Sequence, residues 1–348
     1  LNRQVTEQIT IRQLDLQNFA RWDEFVEKSP DSTFFHKAGW QLVLEQAFGH
    51  RGHFLYAEMD SEIVGVLPLA EVKSLLFGHS LVSTPFCVYG GVVSSNDEAR
   101  QALIDKACQL ADELSVDYLE LRNRRQERPD WPCKTLYYRF RKSISENEDE
   151  NLKAIPRKQR AVVRKAIKLG LESTYDDDHE RFYTAYSTSV RNLGTPVFSK
   201  KYFQVLREVF ADSSDILTIT HNDKLVTSVL SFYFRDEVLP YYGGGTAAAR
   251  NLKGNDFMYW QLMSDCSKKG IKFFDYGRSK KGTGSFSFKK NWGFEPEPLY
   301  YEYYLVNAKE MPELNPLNPK YQLMINCWKK LPLKLSQVIG PMVSKYLG

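Results

Sequence analysis

The chain has 348 residues, 43% hydrophobic and 14% aromatic, with a net charge of +4, a composition that suits a folded protein of two domains and excludes disorder. The excess charge is local: residues 308–348 hold six lysines and two glutamates, so the remainder is neutral and the charge implies no generally basic nucleic-acid binder, leaving room for a local basic patch. No apolar run approaches the roughly 20 residues of a membrane-crossing helix, and the opening LNRQVTEQITIRQL lacks the apolar core of a signal peptide, so a cytoplasmic protein is expected.

In chain order, FFHKAGWQLVLEQAFG (34–49) reads as helix and FLYAEMDSEIVGVLPLAEV (54–72) as a hairpin turning at Asp60 and Ser61. LVSTPFCVYGG (81–91) ends a strand, Asn96 to Leu114 is a helix and VDYLELR (116–122) a strand. The order then repeats. VFSKKYFQVLREVF (197–210) is helical, ILTITHNDKLVTSVLSFYF (216–234) is a hairpin and VLPYYGGG (238–245) ends a strand. NDFMYWQLMSDCSKKG (255–270) is a helix and IKFFDYGR (271–278) a strand. Lys37 and Asp60 recur 163 residues later as Lys200 and Asp223, Tyr89 recurs as Tyr242 and Arg122 as Arg278. Fixed spacing of this kind marks two copies of one α/β unit.

The acidic SENEDEN (145–151) has the composition of an exposed linker, which places the boundaries at 1–148 for the first domain, 149–307 for the second and 308–348 for a basic tail. Pro156 fits the first turn of the helix that follows. Arg157, Arg160, Arg164 and Lys168 then share one face, with Val163, Ala166 and Ile167 on the other. That stripe is either a phosphate-binding surface or a solvated helix face.

Residues 273–296, FFDYGRSKKGTGSFSFKKNWGFEP, bring Asp275, Arg278 and Lys289 to a strand end and the Gly-rich loop beyond it, the place where an α/β sheet presents chemistry. Acyl transfer to an amine builds charge on a carbonyl oxygen and removes a proton from the nucleophile. Lys289 meets the first need as a cation in a dry cleft. Asp275 is either the base or an anchor for Arg278 or Lys289. Tyr242 and Tyr276 either position substrate or pack. Gly243, Gly244 and Gly245 admit a ligand to the backbone or serve a bulge. The five cysteines, 87, 108, 133, 266 and 327, are widely spaced without CxxC; His50 and His53 lack further ligands at metal spacing, and no HExxH, P-loop or GxSxG occurs, so metal and nucleophilic-serine chemistry are disfavoured.

The ordered set YYGGG, NDFMYWQLM, FDYGR and FKKNWGFEP, closing a duplicated unit across about residues 10–306, resembles the FemAB family. IPRKQRAVVRKAIKLGL, LVSTPFCVYGG and NPKYQLMINCWKKLPLKLSQVIGP are similar to its group associated with exosortase and exopolysaccharide gene clusters. The resemblance implies two GNAT-like (acetyltransferase-like) α/β domains packed as a tandem repeat. It also implies an acyltransferase that moves an aminoacyl or other acyl group to an amine or hydroxyl of a cell-envelope or exopolysaccharide precursor. On the family pattern Lys289 stabilises the transfer intermediate, and Tyr118, Tyr202 and Tyr242 line the acceptor pocket. Three charged acceptor contacts would fall at Leu44, Asn123 and Phe198 and are missing; Lys37, Lys200 and the Arg157/Arg164 stripe are the candidate replacements.

The donor is left open between aminoacyl-tRNA and acyl-CoA, because GTAAARNLKGND (245–256) stands where a CoA pyrophosphate loop would, with irregular glycine spacing. No permanently bound cofactor is expected. A non-catalytic saccharide- or partner-binding protein and a CoA-dependent N-acetyltransferase are the alternatives. The tail, with lysines among Trp, Leu, Val and Ile, either touches an anionic membrane or packs on the second domain, with Pro332 and Pro341 breaking a long helix.

Overall fold

The computed structural model describes residues 8–74, 77–312 and 319–347. The chain forms two compact units, one from Leu1–Thr135, Leu299–Glu313 and Tyr346–Gly348, the other from Leu136–Pro298 and Leu314–Lys345.

The first unit carries two sheets. One orders Thr10–Gln13, Leu55–Met59, Glu62–Leu67 and Val93–Ser94, and the other orders Arg51–Gly52, Leu69–Ser74, Gly78–Ser83, Tyr118–Asn123, Tyr300–Leu305 and Cys133–Lys134. The expected hairpin turns at Asp60 and Ser61, both at positive φ, which matches the right-handed twist of the strands. Helix Asp97–Glu113, capped by Asn96 Oδ1 accepting from Ala99 N at 2.7 Å, crosses between the parallel strands Gly78–Ser83 and Tyr118–Asn123. Its Ala99, Leu103, Ile104, Ala107 and Ala111 are buried with Leu69, Leu81, Leu119 and Leu121 in one core, each larger side chain contributing roughly 1.5–3 kcal/mol by leaving water.

The second unit has one seven-stranded sheet, ordered Glu172–Tyr175, Ser214–His221, Lys224–Phe234, Glu237–Gly245, Phe273–Lys280, Tyr137–Ser143 and Pro296–Pro298. Its hairpin turns at Asn222 and Asp223, again at positive φ. Helix Gly254–Lys268 is the crossover between the parallel strands Glu237–Gly245 and Phe273–Lys280. The repeat expected from the spacing is present as this hairpin, strand, helix, strand order in both units.

Several local expectations change. SENEDEN is no linker: Asn147 Oδ1 accepts from Asp149 N and Glu150 N, and the acids fill the first turn of helix Glu148–Ala154, where they complement the positive helix end. The boundary expected at 148 therefore falls inside the second unit, which begins at Leu136. The segment expected to be one helix at 34–49 is a 3-10 turn Phe34–His36, an α-turn Gly39–Val43 and a π-turn Leu44–Phe48. Pro156 caps helix Arg157–Ile167 rather than opening it. The tail forms helices Pro319–Lys329 and Leu333–Ser344, and Pro341 lies inside the second rather than breaking it.

Candidate functional site

The second unit holds a wedge in its sheet. Strands Glu237–Gly245 and Phe273–Lys280 pair only at Glu237 with Phe273 and Val238 with Phe274. Beyond that point they separate, and no backbone hydrogen bond joins Leu239–Gly245 to Asp275–Lys280 among the described residues. On its other side Glu237–Gly245 stays paired with Lys224–Phe234, with a bulge that leaves Tyr241 out of register. Tyr259 of helix Gly254–Lys268 spans the gap: its hydroxyl lies 3.1 Å from where a Cβ on Gly243 would stand, and its ring centroid is 4.9 Å from that of Tyr276. Burial pushes the Tyr259 hydroxyl up to about 12, so it is a donor at neutral pH. The Tyr276 hydroxyl, likewise raised by burial, has no hydrogen-bond partner among the described residues.

Lys289 lies on helix Gly284–Asn291, whose N-terminus is capped by Thr283 Oγ1 accepting from Phe286 N. The expected Gly-rich loop is thus mostly helix, and its capping threonine explains why. Lys289 is 9% exposed, and its Nζ donates to the carbonyls of Tyr276 at 2.7 Å and Arg278 at 3.0 Å. Burial pushes this amine down to about 7, against the raising influence of Asp275; Arg278 lowers it further. As an ammonium it keeps a third N–H beyond the two carbonyls; as an amine it keeps its lone pair.

Asp275 is 1% exposed and fully engaged: Oδ2 accepts from Arg139 Nε at 3.1 Å and Oδ1 from Gly277 N at 2.7 Å. Through Arg139 it ties strand Tyr137–Ser143 to Phe273–Lys280, and its charge favours the protonated form of Lys289. The Arg278 guanidinium lies 4.6 Å from the centre of the Tyr137 ring.

Tyr202 and Tyr242 are brought together, hydroxyl to hydroxyl at 2.7 Å, among Phe182, Tyr186, Phe198 and Phe203. Tyr118 belongs to the first unit. There its ring lies 5.6 Å from that of Tyr303, and burial raises its hydroxyl to about 12. Gly244 serves packing rather than a ligand, because a Cβ there would stand 2.6 Å from Tyr186 Cα and 2.7 Å from Ala185 O. Lys37 is consumed by Glu27 at 2.8 Å and Asp23 at 3.6 Å, and Lys200 by Glu180 at 2.6 Å.

The three altered positions have structural reasons. Leu44 is fully buried in its π-turn, and Phe198 packs 4.9 Å from Tyr202. Asn123 donates from Nδ2 to Glu302 at 2.6 Å, where an aspartate would set two buried carboxylates together.

Arg157 and Arg164 line an open concavity of about 720 Å³ with Arg160, Lys165 and Lys168, and no acidic side chain contributes. Arg157, Arg164, Lys165 and Lys168 have no ion-pair partner among the described residues, whereas Arg160 donates to Ile155 O at 3.1 Å. Ile167, expected on the buried side with Val163 and Ala166, is 43% exposed. A second recess of about 350 Å³ lies among Gly245, Thr246, Arg250, Lys253, Asn255 and Phe288. Sequence reading missed Tyr259, whose only signal was its place in NDFMYWQLM, and Arg139, which carries none.

The corresponding wedge of the first unit is filled by its own chain. Strands Gly78–Ser83 and Tyr118–Asn123 pair from Ser80 to Val82, and then Arg122 turns its guanidinium to Cys87 O at 2.8 Å and Glu120 Oε1 at 2.7 Å while Gly91 N donates to Arg122 O at 3.0 Å.

Among the described residues no group of His, Cys, Asp and Glu could hold a metal ion, and no helix is long and apolar enough to cross a membrane. Residues 157–290 match the family described as Acetyltransferase (GNAT) domain. Comparison with curated proteins gives no match. Among solved structures the chain is similar to FemX, at 16% identity and a TM-score of 0.66 over 91% of this chain and 100% of that one. It is also similar to a tandem GNAT protein from the clavulanic acid biosynthesis pathway, at 11% and 0.53 over 87% and 100%, and to L-PGS from Bacillus licheniformis, at 12% and 0.51 over 90% and 97%. Residues 157–290 thus match the acetyltransferase (GNAT) domain family, and the chain has the tandem GNAT-like fold that it shares with FemX.

Proposed function

We propose that the chain is an acyltransferase whose chemistry takes place in the wedge of the second unit, moving an aminoacyl or other acyl group to an amine or hydroxyl of a cell-envelope or exopolysaccharide precursor. The observation that carries this reading is the open wedge with Lys289 buried beside it, set against the filled wedge of the first unit. In the reaction the acceptor nitrogen or oxygen attacks the acyl carbonyl, a tetrahedral oxyanion forms and collapses as the donor's ester or thioester bond breaks, and the proton lost by the acceptor leaves with the donor's alcohol or thiol. The Lys289 ammonium, held by two carbonyls, directs its remaining N–H toward that oxyanion in a water-poor site, where a fixed cation is worth far more than in water. Tyr259 and Tyr276 supply further donors.

The unpaired Arg157 and Arg164 suit a phosphate-bearing substrate. The buried Leu44, Phe198 packed on Tyr202, and Asn123 argue against the nucleotide-linked muramyl pentapeptide as acceptor, because none of the three side chains offers it a charge.

The test is transfer from aminoacyl-tRNA and from acyl-CoA to envelope precursors by the parent chain and by Lys289→Ala. Loss of one oxyanion stabiliser should lower turnover about 10²–10³-fold while the folded fraction, read by circular dichroism, is held equal. Unchanged turnover by folded Lys289→Ala removes the reading.

A second reading has its own observation: the recess at Gly245–Asp256, with Arg250 and Lys253 beside the first turn of helix Gly254–Lys268, suits the pyrophosphate of acyl-CoA. Coenzyme A binding that Lys253→Glu abolishes would select that donor; binding of aminoacyl-tRNA alone would reject it.

A further inference from the structure

Helix Leu333–Ser344 is inverted relative to an ordinary surface helix. Its inward residues are Ser336, Gly340 and Ser344, spaced four apart and buried. Small residues are needed there because a Cβ on Gly340 would lie 2.9 Å from the backbone N and O of Val197. Ser344 Oγ donates to Val197 O at 3.0 Å, and Gln337 Nε2 donates to Ser187 Oγ at 2.9 Å. Its outward residues are the large ones: Leu335 at 44% exposure, Val338 at 62% and Met342 at 64%. Their i, i+3, i+7 spacing makes a single stripe. The preceding helix Pro319–Lys329 leaves Leu323 67% and Met324 57% exposed. The tail therefore packs on the second unit, one of the two readings of it made from sequence, and still presents an apolar face.

Charge decides what covers this face. Lys329 and Lys330 precede the helix, Lys334 lies at the edge of the stripe, and residues 319–347 contain no Asp or Glu. We propose that the helix is a membrane-docking element. It lies in the headgroup region of an anionic bilayer, with Leu335, Val338 and Met342 among the acyl chains and Lys329, Lys330 and Lys334 on lipid phosphates. A second copy of the chain is the poorer occupant, since a self-contact would oppose lysine to lysine with no acid between. The helix has 12 residues, which suits lying in the interface rather than crossing it.

The experiment is co-sedimentation of the full chain with vesicles of mixed phosphatidylglycerol and phosphatidylcholine, and with phosphatidylcholine alone. The parent should pellet with the anionic vesicles, release as salt is raised, and stay in solution with neutral ones. The triple variant Leu335→Ser, Val338→Ser, Met342→Ser should partition at least about tenfold more weakly, and so should Lys329→Glu, Lys330→Glu, Lys334→Glu. All six side chains are solvent-facing, so both variants should melt with the parent. A parent that does not pellet, or a triple serine variant that pellets equally well, overturns the proposal. So does a concentration-dependent dimer in sedimentation velocity that the serine variant abolishes, because it would assign the face to a second copy.

Discussion

Lys289 joins stability to chemistry through one proton. Burial holds its amine near 7, against an ordinary value of 10.5, so between those limits the unfolded chain binds more protons than the folded one. Stability should therefore rise with pH across that window, while below about 7 both states are protonated and the desolvation cost is fully present. Lys289→Met should flatten this dependence, as read from urea midpoints across the window. An ammonium acting on the oxyanion also requires turnover to fall as pH rises through about 7, and Lys289→Arg, which keeps its charge, should lose that limb. A limb that rises instead, and vanishes in Lys289→Met, would make the residue a base. Asp275 gives a contrasting case. Asp275→Ala would leave the Arg139 guanidinium, whose side chain is 11% exposed, without its buried partner, and should cost about 3–5 kcal/mol in denaturant unfolding. Sequence placed Asp275 at the strand end, but its ion pair with Arg139, 136 residues away, is visible only in the pairing across strands.

Elements were legible where the pattern is local. Both hairpins turn where Asp60-Ser61 and Asn222-Asp223 put short polar residues, because such residues tolerate the positive φ that the turn demands. The crossover helices followed from their apolar period, and Asn96 marked one start. Misreadings arose where tertiary neighbours override composition. SENEDEN looked like a linker because its acids are exposed, yet the same acids favour a helix N-terminus. GTGSFSF looked like a mobile loop, although Thr283 caps a helix that begins at Gly284. That cap is testable: Thr283→Ala should cost about 1 kcal/mol and reduce turnover by loosening the helix that carries Lys289. Serine at the same position should restore both. Gly244 was ambiguous in sequence because a ligand and a helix make the same demand on a missing side chain. Gly244→Ala should be strongly destabilising, seen as a lowered melting temperature, since the methyl would meet Tyr186 and Ala185 backbone atoms under 3 Å away.

At the scale of the whole chain, the two copies of the repeat do not each supply all of their own strands. Tyr300–Leu305 follows the second copy in sequence but pairs along its length with Tyr118–Asn123 of the first unit. It brings the fully buried Glu302, which accepts from Asn123 Nδ2 and from the backbone N–H of Glu127 and Arg128. Tyr137–Ser143 precedes the acidic segment but sits between Phe273–Lys280 and Pro296–Pro298 in the second unit. A division at 148, natural from composition, would therefore remove an interior strand from one sheet of each unit. Fragment 1–148 would leave the donors of Asn123, Glu127 and Arg128 with no carboxylate, and fragment 149–348 would leave Asp275 buried without Arg139. The broken Asp275–Arg139 pair costs roughly 3–5 kcal/mol and each buried donor left without Glu302 about 1–3 kcal/mol, which consumes much of the roughly 5–15 kcal/mol by which a folded domain is stable. Neither fragment alone should show a cooperative thermal transition, whereas the intact chain should. The same exchange predicts that limited proteolysis will not cut first at Glu148, which lies in a capped helix. Two fragments that each melt cooperatively would mean that the exchanged strands are dispensable, and that the copies fold as the independent domains their sequences suggest.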